Sequence, residues 1–292
     1  MKDNFVYAGR FAPSPTGPLH FGSLVAALAS FLDARRANGR WLLRIEDLDP
    51  PRESATAADE IIKQLKAFGL LWDDEILYQS TRLEAYQSAL DTLIEKKLVY
   101  PCTCPRRSYQ GLYPGRCRAR KFSETKDKFA IRLRVNGAGI GIEDRLIGKC
   151  SWLPGKSFND FIIKRKDGLF AYQLAVVVDD AYQGITDIVR GSDLLDSTPN
   201  QIYLGQALAY PDIRYCHIPV ILGEDGTKLS KQTGAEPVDG RDAIKYLRLA
   251  LAALGQPSLA GIGSVDKLIT RAIDAWDLAA VPHESGIPFP GR

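Results

Sequence analysis

The stretch with the clearest capacity for chemistry is Arg10-Phe-Ala-Pro-Ser-Pro-Thr-Gly-Pro-Leu-His-Phe-Gly-Ser23, here called the opening loop. It joins a predicted strand over residues 5–9 to a predicted helix over residues 24–32. No acidic residue occurs between positions 10 and 32, so the helix N-terminal amides, His20 and Arg10 would together present positive potential. We therefore expect a phosphate or a carboxylate to bind here. The alternative is an ordinary proline-rich connection.

A second candidate for anion binding is Gly223-Glu-Asp-Gly-Thr-Lys-Leu-Ser-Lys-Gln-Thr-Gly234, here called the lysine loop. Lys228 and Lys231 lie three residues apart among glycines and hydroxyl groups, and an ammonium group on a flexible stem can reach phosphate. The pattern G-x-x-x-x-G-K-[ST] of a P-loop occurs nowhere in the chain. Taken alone, such a loop is more often simply exposed.

Acidic residues follow a predicted strand at residues 41–45, in the order Glu46, Asp47 and Asp49. The carboxyl ends of strands are where open parallel sheets bind ligands, so one of these carboxylates could meet a substrate ammonium group. The alternative for at least one of them is the capping of a helix or turn.

Two later segments continue this pattern. Residues 174–178 form a continuous apolar run that predicts a central parallel strand buried on both faces, and Asp179 and Asp180 follow it. Residues 185–189 predict another strand, which leads to Arg190. We therefore expect Arg190, Asp179 and Glu46 to converge at one sheet edge, with a turn or cap as the alternative for the aspartate pair.

Three of the five cysteines fall close together, at Cys102, Cys104 and Cys117. Three thiolates at this spacing can occupy three corners of a tetrahedral zinc site. The fourth ligand is open between Tyr109, Tyr113, water and none, and three unligated cysteines are the alternative. Residues 101–136 also carry ten Lys or Arg against two acidic residues, a local excess of eight positive charges that indicates either RNA contact or a solvated face.

Length and composition bound the remaining possibilities. The 292 residues are 45% hydrophobic and 25% charged with a formal net charge of +3, which suits a large core in two domains or in one α/β domain with an insertion. No apolar run is long enough for a membrane helix, and the N-terminus does not resemble a signal peptide, so we expect a cytoplasmic protein without a membrane partner. Further helices are predicted at residues 55–69, 81–98, 200–209, 241–254 and 265–276, and further strands at residues 129–135, 160–164 and 217–222.

The two loops together resemble the paired signatures of the class I aminoacyl-tRNA synthetases. His20-Phe-Gly-Ser23 stands where that class has His-Ile-Gly-His, and Lys228-Leu-Ser-Lys-Gln232 stands where it has Lys-Met-Ser-Lys-Ser. Ser23 in place of the second histidine removes one possible phosphate contact, whereas Gln232 leaves both lysines in place. Arg10-Phe-Ala-Pro-Ser-Pro-Thr-Gly, Arg44-Ile-Glu-Asp-Leu-Asp and Val177-Val-Asp-Asp resemble the glutamyl and glutaminyl branch.

The 58 residues from 235 to 292 are too few for the anticodon-binding region that follows the lysine loop in that branch. With its cysteine pattern, the chain is therefore similar to the family of glutamyl-Q tRNA(Asp) synthetases. Those enzymes activate L-glutamate with ATP and attach it to the queuosine base in the anticodon of tRNA(Asp). The resemblance implies an α/β fold with a Rossmann-type doubly wound parallel sheet, a zinc-containing insertion and a short helical C-terminal region.

The resemblance also implies a division into residues 1–100 and 136–234 for the two halves of the catalytic domain, 101–135 for the insertion and 235–292 for the C-terminal extension. It implies one structural zinc per chain, and ATP with magnesium as the substrate complex. The implied zinc ligands are Cys102, Cys104, Tyr113 and Cys117. The implied glutamate-binding residues are Arg10, Ala12, Ser14, Glu46, Tyr172 and Arg190. The implied ATP-binding residues are His20, Gly22, Lys228, Ser230 and Lys231, among which His20, Lys228 and Lys231 are the catalytic candidates.

Three other functions fit parts of this pattern. A truncated glutamyl-tRNA synthetase would charge the 3′ end of a tRNA instead of a base. A non-catalytic paralogue would bind RNA without activating glutamate, although it would have little reason to keep His20, Glu46 and both lysines. A small-molecule nucleotidyltransferase shares the His-x-Gly loop but not the set of carboxylates and arginines.

Overall fold

The protein is described by a computed structural model over residues 6–49, 53–54, 56–229 and 236–290. The helices in these ranges are α1 (Phe21–Arg36), α2 (Ala57–Ala67), α3 (Leu83–Glu95), α4 (Tyr172–Tyr182), α5 (Thr198–Leu208), α6 (Ala243–Ala253) and α7 (Val265–Ala275). The strands are β1 (Ala8–Phe11), β2 (Arg40–Ile45), β3 (Asp73–Tyr78), β4 (Val99–Cys102), β5 (Ala130–Leu133), β6 (Ile140–Asp144), β7 (Gly148–Trp152), β8 (Phe161–Lys164), β9 (Asp187–Gly191), β10 (Arg214–Ile218), β11 (Val220–Leu222) and β12 (Gly286–Pro288).

The central layer is built from parallel strand pairs. β1 pairs with β2 and β2 with β3, while β9 pairs with β10. The Thr186 amide donates to the Ala8 carbonyl at 2.9 Å, so β1 and β9 lie side by side and the spatial order is β3, β2, β1, β9, β10. The chain thus adds β2 and β3 on one side of β1 and later adds β9 and β10 on the other side. This reversal of strand order is where doubly wound sheets bind ligands.

The helix α1 is apolar on nearly all sides because it is buried on nearly all sides. It packs on β1 and β9 with one face and on α6 and α7 with another, so Leu24, Leu28 and Leu32 have no exposed surface. The strand β2 is buried from Trp41 to Ile45 for the same reason. The sheet and α1 thus hold both ends of the opening loop rigidly.

The prediction of a central strand at residues 174–178 is wrong, since this run lies inside α4. The helix is buried against α3, α5 and β8, and all five residues are inaccessible or nearly so. A helix buried on most sides shows no 3.6-residue alternation, so a short apolar run cannot be distinguished from a buried strand by its pattern. Asp179 and Asp180 consequently lie in the last turn of a helix rather than beyond a strand.

Several strand boundaries differ from the predictions. β1 begins at Ala8 and ends at Phe11, later than the predicted strand over residues 5–9, of which residue 5 lies outside the described ranges. β9 continues to Gly191 and so contains Arg190. The predicted strand over residues 217–222 is divided into β10 and β11 at Pro219, whose nitrogen carries no hydrogen for a strand ladder.

A second layer is antiparallel, with β4, β5 and β8 in one sheet and β6 and β7 in a hairpin. The chain between β4 and β5 carries the three clustered cysteines. After the lysine loop, α6 and α7 pack on α1, and β12 pairs in parallel with β11. The proposed domain boundaries stay a prediction.

No helix in the described part of the chain is both long and apolar enough to cross a membrane. The cytoplasmic location expected from the sequence is a separate matter and stays a prediction.

Candidate active site

A cavity of about 410 Å³ opens at the carboxyl ends of β1, β2, β9 and β10. It is lined by residues predicted to bind either glutamate or ATP. These are Arg10, Ala12, Ser14, His20, Gly22, Glu46, Tyr172, Arg190 and Lys228. Ser230 and Lys231 lie outside the described residues, so their roles stay predictions. The structure therefore brings the opening loop and the beginning of the lysine loop to one site.

His20 is the N-cap of α1 and lines the cavity wall. Its Nδ1 accepts a hydrogen bond from the Ser23 amide at 3.3 Å, and its Nε2 lies 2.9 Å from the Ser23 hydroxyl. Ser23, which stands where the class I signature has a second histidine, thus contacts the first one. The first turn of α1 contains no acidic residue, so no side-chain carboxylate of that turn offsets the partial positive charge of the helix N-terminus.

Lys228 lines the same cavity and belongs to the lysine loop. Its Nζ lies 2.6 Å from a carboxylate oxygen of Asp193, just beyond β9. The amide of Leu229 donates to the Ile221 carbonyl at 2.7 Å and ties the loop to β11. Asp193 was not among the residues predicted from the sequence, although its position three residues after Arg190 could have suggested it.

Glu46 belongs to a buried group of two arginines and two carboxylates. Arg44, which is fully buried, reaches Glu46 at 3.4 Å and Asp180 at 2.8 Å, and Arg10 reaches the same Asp180 oxygen at 3.2 Å. Burial opposes ionisation of Asp180, but Arg10 and Arg44 outweigh it and lower the pKa of that carboxyl. Burial raises the pKa of Glu46 despite both arginines. The four charges sum to zero, with Glu46 at the cavity surface.

Asp179 does not join the cavity, so its predicted convergence with Glu46 and Arg190 is wrong. Its carboxylate is fully buried and accepts hydrogen bonds from Gln79 at 2.9 Å, Arg82 at 3.1 Å and Tyr86 at 2.6 Å. Successive residues on a helix point about 100° apart, so only one of the two aspartates can face the arginines below the cavity. That residue is Asp180.

Arg190 enters the cavity from β9 and is held by polar side chains. It donates to Gln201 and Thr198 at 2.7 Å each and to His217 Nε2 at 3.1 Å. Behind His217, its Nδ1 lies 2.6 Å from Asp144. Asp144, Thr198, Gln201 and His217 were all missed as site residues, because the sequence gives no indication that β6, α5 and β10 meet at β9.

The three clustered cysteines meet as the zinc prediction requires, with their sulfur atoms within 4.8 Å of one another. The Tyr113 hydroxyl lies 3.4 Å from Cys102 Sγ and 3.5 Å from Cys104 Sγ, and Cys104 Sγ is 3.5 Å from Cys117 Sγ. A tetrahedral zinc with Zn–S bonds of about 2.3 Å separates its sulfur ligands by about 3.8 Å, so this donor set fits the metal. The other candidate, Tyr109, accepts a hydrogen bond from Arg132 at 2.6 Å.

The charge around the cysteines also suits a metal site. Arg132 is 3% exposed and its guanidinium lies 3.9 Å from the centre of the Tyr113 ring, where it offsets the negative charge of thiolate ligands. Burial opposes ionisation of Cys117, yet hydrogen bonds from Tyr113 and from the Thr103 backbone lower the pKa of this thiol to about 7. A thiol with that pKa is readily available as a thiolate ligand.

Comparison with known proteins places this geometry in a family. The sequence-family model for the catalytic domain of class I tRNA synthetases (E and Q) matches residues 8–112 and 106–255. Proteins named glutamyl-Q tRNA(Asp) synthetase from Pseudomonas fluorescens and Pseudomonas entomophila are each 49% identical to the chain, over 97% of it and 96% and 97% of their own lengths. The glutamate-tRNA synthetase of Elizabethkingia anophelis shares the fold at 24% identity with a TM-score of 0.81, over 97% of this chain and 68% of that one. The chain therefore belongs to the class I tRNA synthetases of the E and Q type and, within them, to the glutamyl-Q tRNA(Asp) synthetase family.

Proposed function

We propose that the protein activates L-glutamate with ATP and transfers it to the queuosine base in the anticodon of tRNA(Asp). The observation that supports this proposal is that Glu46, Arg190, His20 and Lys228 all line the same cavity. Such a cavity offers groups for an amino acid on one side and for phosphates on the other. The names of relatives that match nearly the full chain supply the acceptor.

In the first step, the α-carboxylate of glutamate attacks the α-phosphorus of ATP, and pyrophosphate leaves as glutamyl-adenylate forms. The transition state is rich in negative charge, so fixed positive groups and precise positioning lower its energy. His20, Gly22 and the N-terminus of α1 would hold phosphate oxygens. Lys228, with Ser230 and Lys231 as predicted from the sequence, would close over the pyrophosphate, and magnesium would accompany ATP.

Glutamate recognition would use both ends of the substrate. Glu46 would accept the α-ammonium group, while Arg10, Ala12, Ser14 and Tyr172 would line its binding site. Arg190 is the better candidate to bind the side-chain carboxylate, because Arg10 is already paired with Asp180. A cation that faces this end of the substrate favours glutamate over the uncharged glutamine.

The cysteine cluster would hold one structural zinc through Cys102, Cys104, Tyr113 and Cys117. When bound, the metal supplies a covalent-strength crosslink between β4 and the loop that follows it. The side chains alone form a small separate core with Tyr100 and Tyr109. Zinc would therefore act on the shape of the insertion rather than on the reaction.

The insertion could also contact tRNA, but with fewer charges than its composition indicates. Arg118 pairs with Asp160, Arg132 is buried beside Tyr113, and Arg134 donates to the Arg118 carbonyl. Among the insertion side chains that the structure describes, the exposed basic residues that are left are Arg107, Arg116, Arg120, Lys121, Lys126 and Lys128. If they bind the RNA backbone, the affinity for tRNA should fall steeply with salt. A flat salt dependence would remove the insertion from the RNA-binding surface.

Two measurements test the proposed function. Glutamate-dependent exchange of pyrophosphate into ATP without tRNA should be detectable, and its absence would favour a non-catalytic RNA-binding paralogue. Charging should then require queuosine in tRNA(Asp). Equal charging of queuosine-free tRNA would instead identify a truncated glutamyl-tRNA synthetase that uses the 3′ end.

A further inference from the structure

Arg190 is a buried cation surrounded by neutral hydrogen-bond partners. Its side chain is held by the Gln201 amide oxygen, the Thr198 hydroxyl and the His217 ring, and a weaker contact of 3.4 Å joins it to the Leu194 carbonyl. Within the described ranges, no carboxylate is hydrogen-bonded to it. Arg10 differs, because it is directly paired with Asp180. A buried guanidinium without a paired anion is strongly disposed to bind one.

The ring of His217 is held in one tautomer. Its Nδ1 lies 2.6 Å from Asp144 Oδ2, and the other oxygen of Asp144 accepts the amides of Leu146 and Ile147 at 3.0 Å each. Since an ionised carboxylate can only accept, Nδ1 carries the hydrogen and Nε2 is left as an acceptor. Nε2 then accepts the hydrogen of Arg190 Nε at 3.1 Å.

The electrostatic surroundings keep this ring neutral. Burial lowers the pKa of His217, and the charge of Arg190 acts in the same direction against the opposing effects of Asp144 and Asp193. The ring of Tyr215 stacks on the imidazole with a centroid distance of 5.9 Å. A protonated ring would also place an Nε2 hydrogen against the Nε hydrogen of Arg190.

The fold fixes this chain of contacts. In the parallel pair of β10 with β9, His217 lies directly opposite Arg190, and β6 packs on β10 so that its last residue, Asp144, faces the ring. We propose that Asp144 and His217 are positioning residues that orient Arg190 through a neutral imidazole and leave its charge free for the side-chain carboxylate of glutamate. This inference rests on the proposed function.

The arrangement would serve selectivity as well as affinity. A carboxylate in place of His217 would orient the guanidinium equally well but would offset its charge, as the pairing with Asp180 offsets that of Arg10. An unpaired cation attracts the carboxylate of glutamate much more strongly than the uncharged amide of glutamine. Once the cation is neutralised this difference shrinks, so glutamine would compete more easily. Asp144 and neutral His217, here called the relay, therefore orient Arg190 without offsetting its positive charge.

The test is Asp144→Asn, which preserves shape. The amide oxygen can still accept the backbone hydrogens of Leu146 and Ile147, but its NH₂ group faces His217 and favours the opposite tautomer. The hydrogen on Nε2 then points toward the Thr198 hydroxyl at 3.0 Å and toward Arg190 Nε, which is itself a donor, so the hydrogen bond from Arg190 is lost. In pyrophosphate exchange, we expect KM for glutamate to rise roughly 10-fold or more, as for loss of a charged hydrogen bond, with KM for ATP unchanged. The preference for glutamate over glutamine should fall.

Two comparisons separate positioning from loss of stability. Asp187→Asn removes another fully buried carboxylate of β9, one that binds Thr186 and Arg214, and should leave KM for glutamate unchanged. His217→Gln retains one donor and one acceptor and should bind glutamate better than His217→Leu. An unchanged KM for glutamate in Asp144→Asn, or equal rises for glutamate and ATP, would overturn the inference.

A measurement without turnover gives an independent answer. The chain has three histidines, so ¹⁵N NMR can assign the ring nitrogens of His217. We expect hydrogen on Nδ1 in the parent protein and on Nε2 in Asp144→Asn. An Nε2 hydrogen in the parent would refute the relay even if glutamate is activated. Conversely, the expected tautomer without glutamate-dependent exchange would refute the proposed function alone.

Discussion

Replacement of Glu46 by glutamine tests the amino-acid side of the cavity. The change removes one charge and keeps the size of the side chain. In the parent, Arg10, Arg44, Asp180 and Glu46 form a buried group with no net charge. Glu46→Gln leaves this group with one positive charge next to the place where the α-ammonium would bind. The substrate would thus lose an attraction and meet a repulsion.

The expected loss follows from these contacts. A hydrogen bond between charged groups contributes about 1.5–3 kcal/mol, which corresponds to a rise of about 10- to 150-fold in KM for glutamate. The repulsion favours the upper part of this range. KM for ATP should stay the same. The fold should persist, because Arg44 keeps its 2.8 Å contact with Asp180 and burial of an uncharged side chain costs less.

The assay is glutamate-dependent pyrophosphate exchange, with glutarate as a competitive inhibitor. Glutarate lacks the ammonium group, so its affinity should not be weakened by Glu46→Gln and should approach or exceed that of glutamate. Asp179→Asn is the matched control, since it removes a buried carboxylate that does not line the cavity. A KM for glutamate within twofold of the parent, or equal weakening of glutarate and glutamate, would refute the assigned role of Glu46.

Three other predictions address the remaining parts of the site. Lys231→Ala, whose role is predicted from sequence only, should retain the fold and lower the rate of glutamate activation by a factor of about 10² to 10³, as for loss of one charge-stabilising group. A change of only a fewfold in the rate of pyrophosphate exchange would contradict the role of Lys231. Elemental analysis should find one zinc per chain, and Cys104→Ser should lower that content while Cys150→Ser does not; a folded, metal-free parent would refute the site. Burial of neutral His217 lowers its pKa below the ordinary 6.5, so the unfolded chain takes up this proton first. The contribution of His217 to the free energy of unfolding should therefore be fully present above about pH 6.5 and be lost as the pH falls below it. Thermal unfolding should show a smaller loss of stability at low pH in His217→Gln than in the parent. Equal pH dependence of the two proteins would exclude this contribution.

The parts of the site that could be predicted from sequence carry their chemistry in local patterns. His20 follows a proline-rich loop and caps a helix, and Glu46 directly follows a strand, so their positions depend on short stretches of chain. The three cysteines likewise lie within sixteen residues. Spacing alone left the fourth ligand open, whereas the family resemblance implied Tyr113, whose hydroxyl lies 3.4 Å from Cys102 Sγ.

The parts that could not be predicted depend on packing between distant elements. Asp144 and His217 are separated by 73 positions, and only the adjacency of β6, β10 and β9 brings them to Arg190. The strand predicted at residues 174–178 is a helix, because burial on most sides of α4 removes the periodicity that identifies a helix. The number of basic residues in the insertion overestimates its free positive charge, because Arg132 is buried and Arg118 is paired with Asp160.

The pairing of β12 with β11 links the end of the chain to the cavity wall. The Ser285 carbonyl accepts hydrogen bonds from both the Ser192 hydroxyl and the Val220 amide, and residues 191, 193 and 220 line the cavity. Detachment of this terminal strand would therefore release two segments of the wall at once. Substrate occupancy and strand detachment oppose each other thermodynamically, so glutamate with ATP should slow amide hydrogen exchange in β12. A tail that lies far along the sequence from both loops thereby becomes a reporter of whether the site is filled.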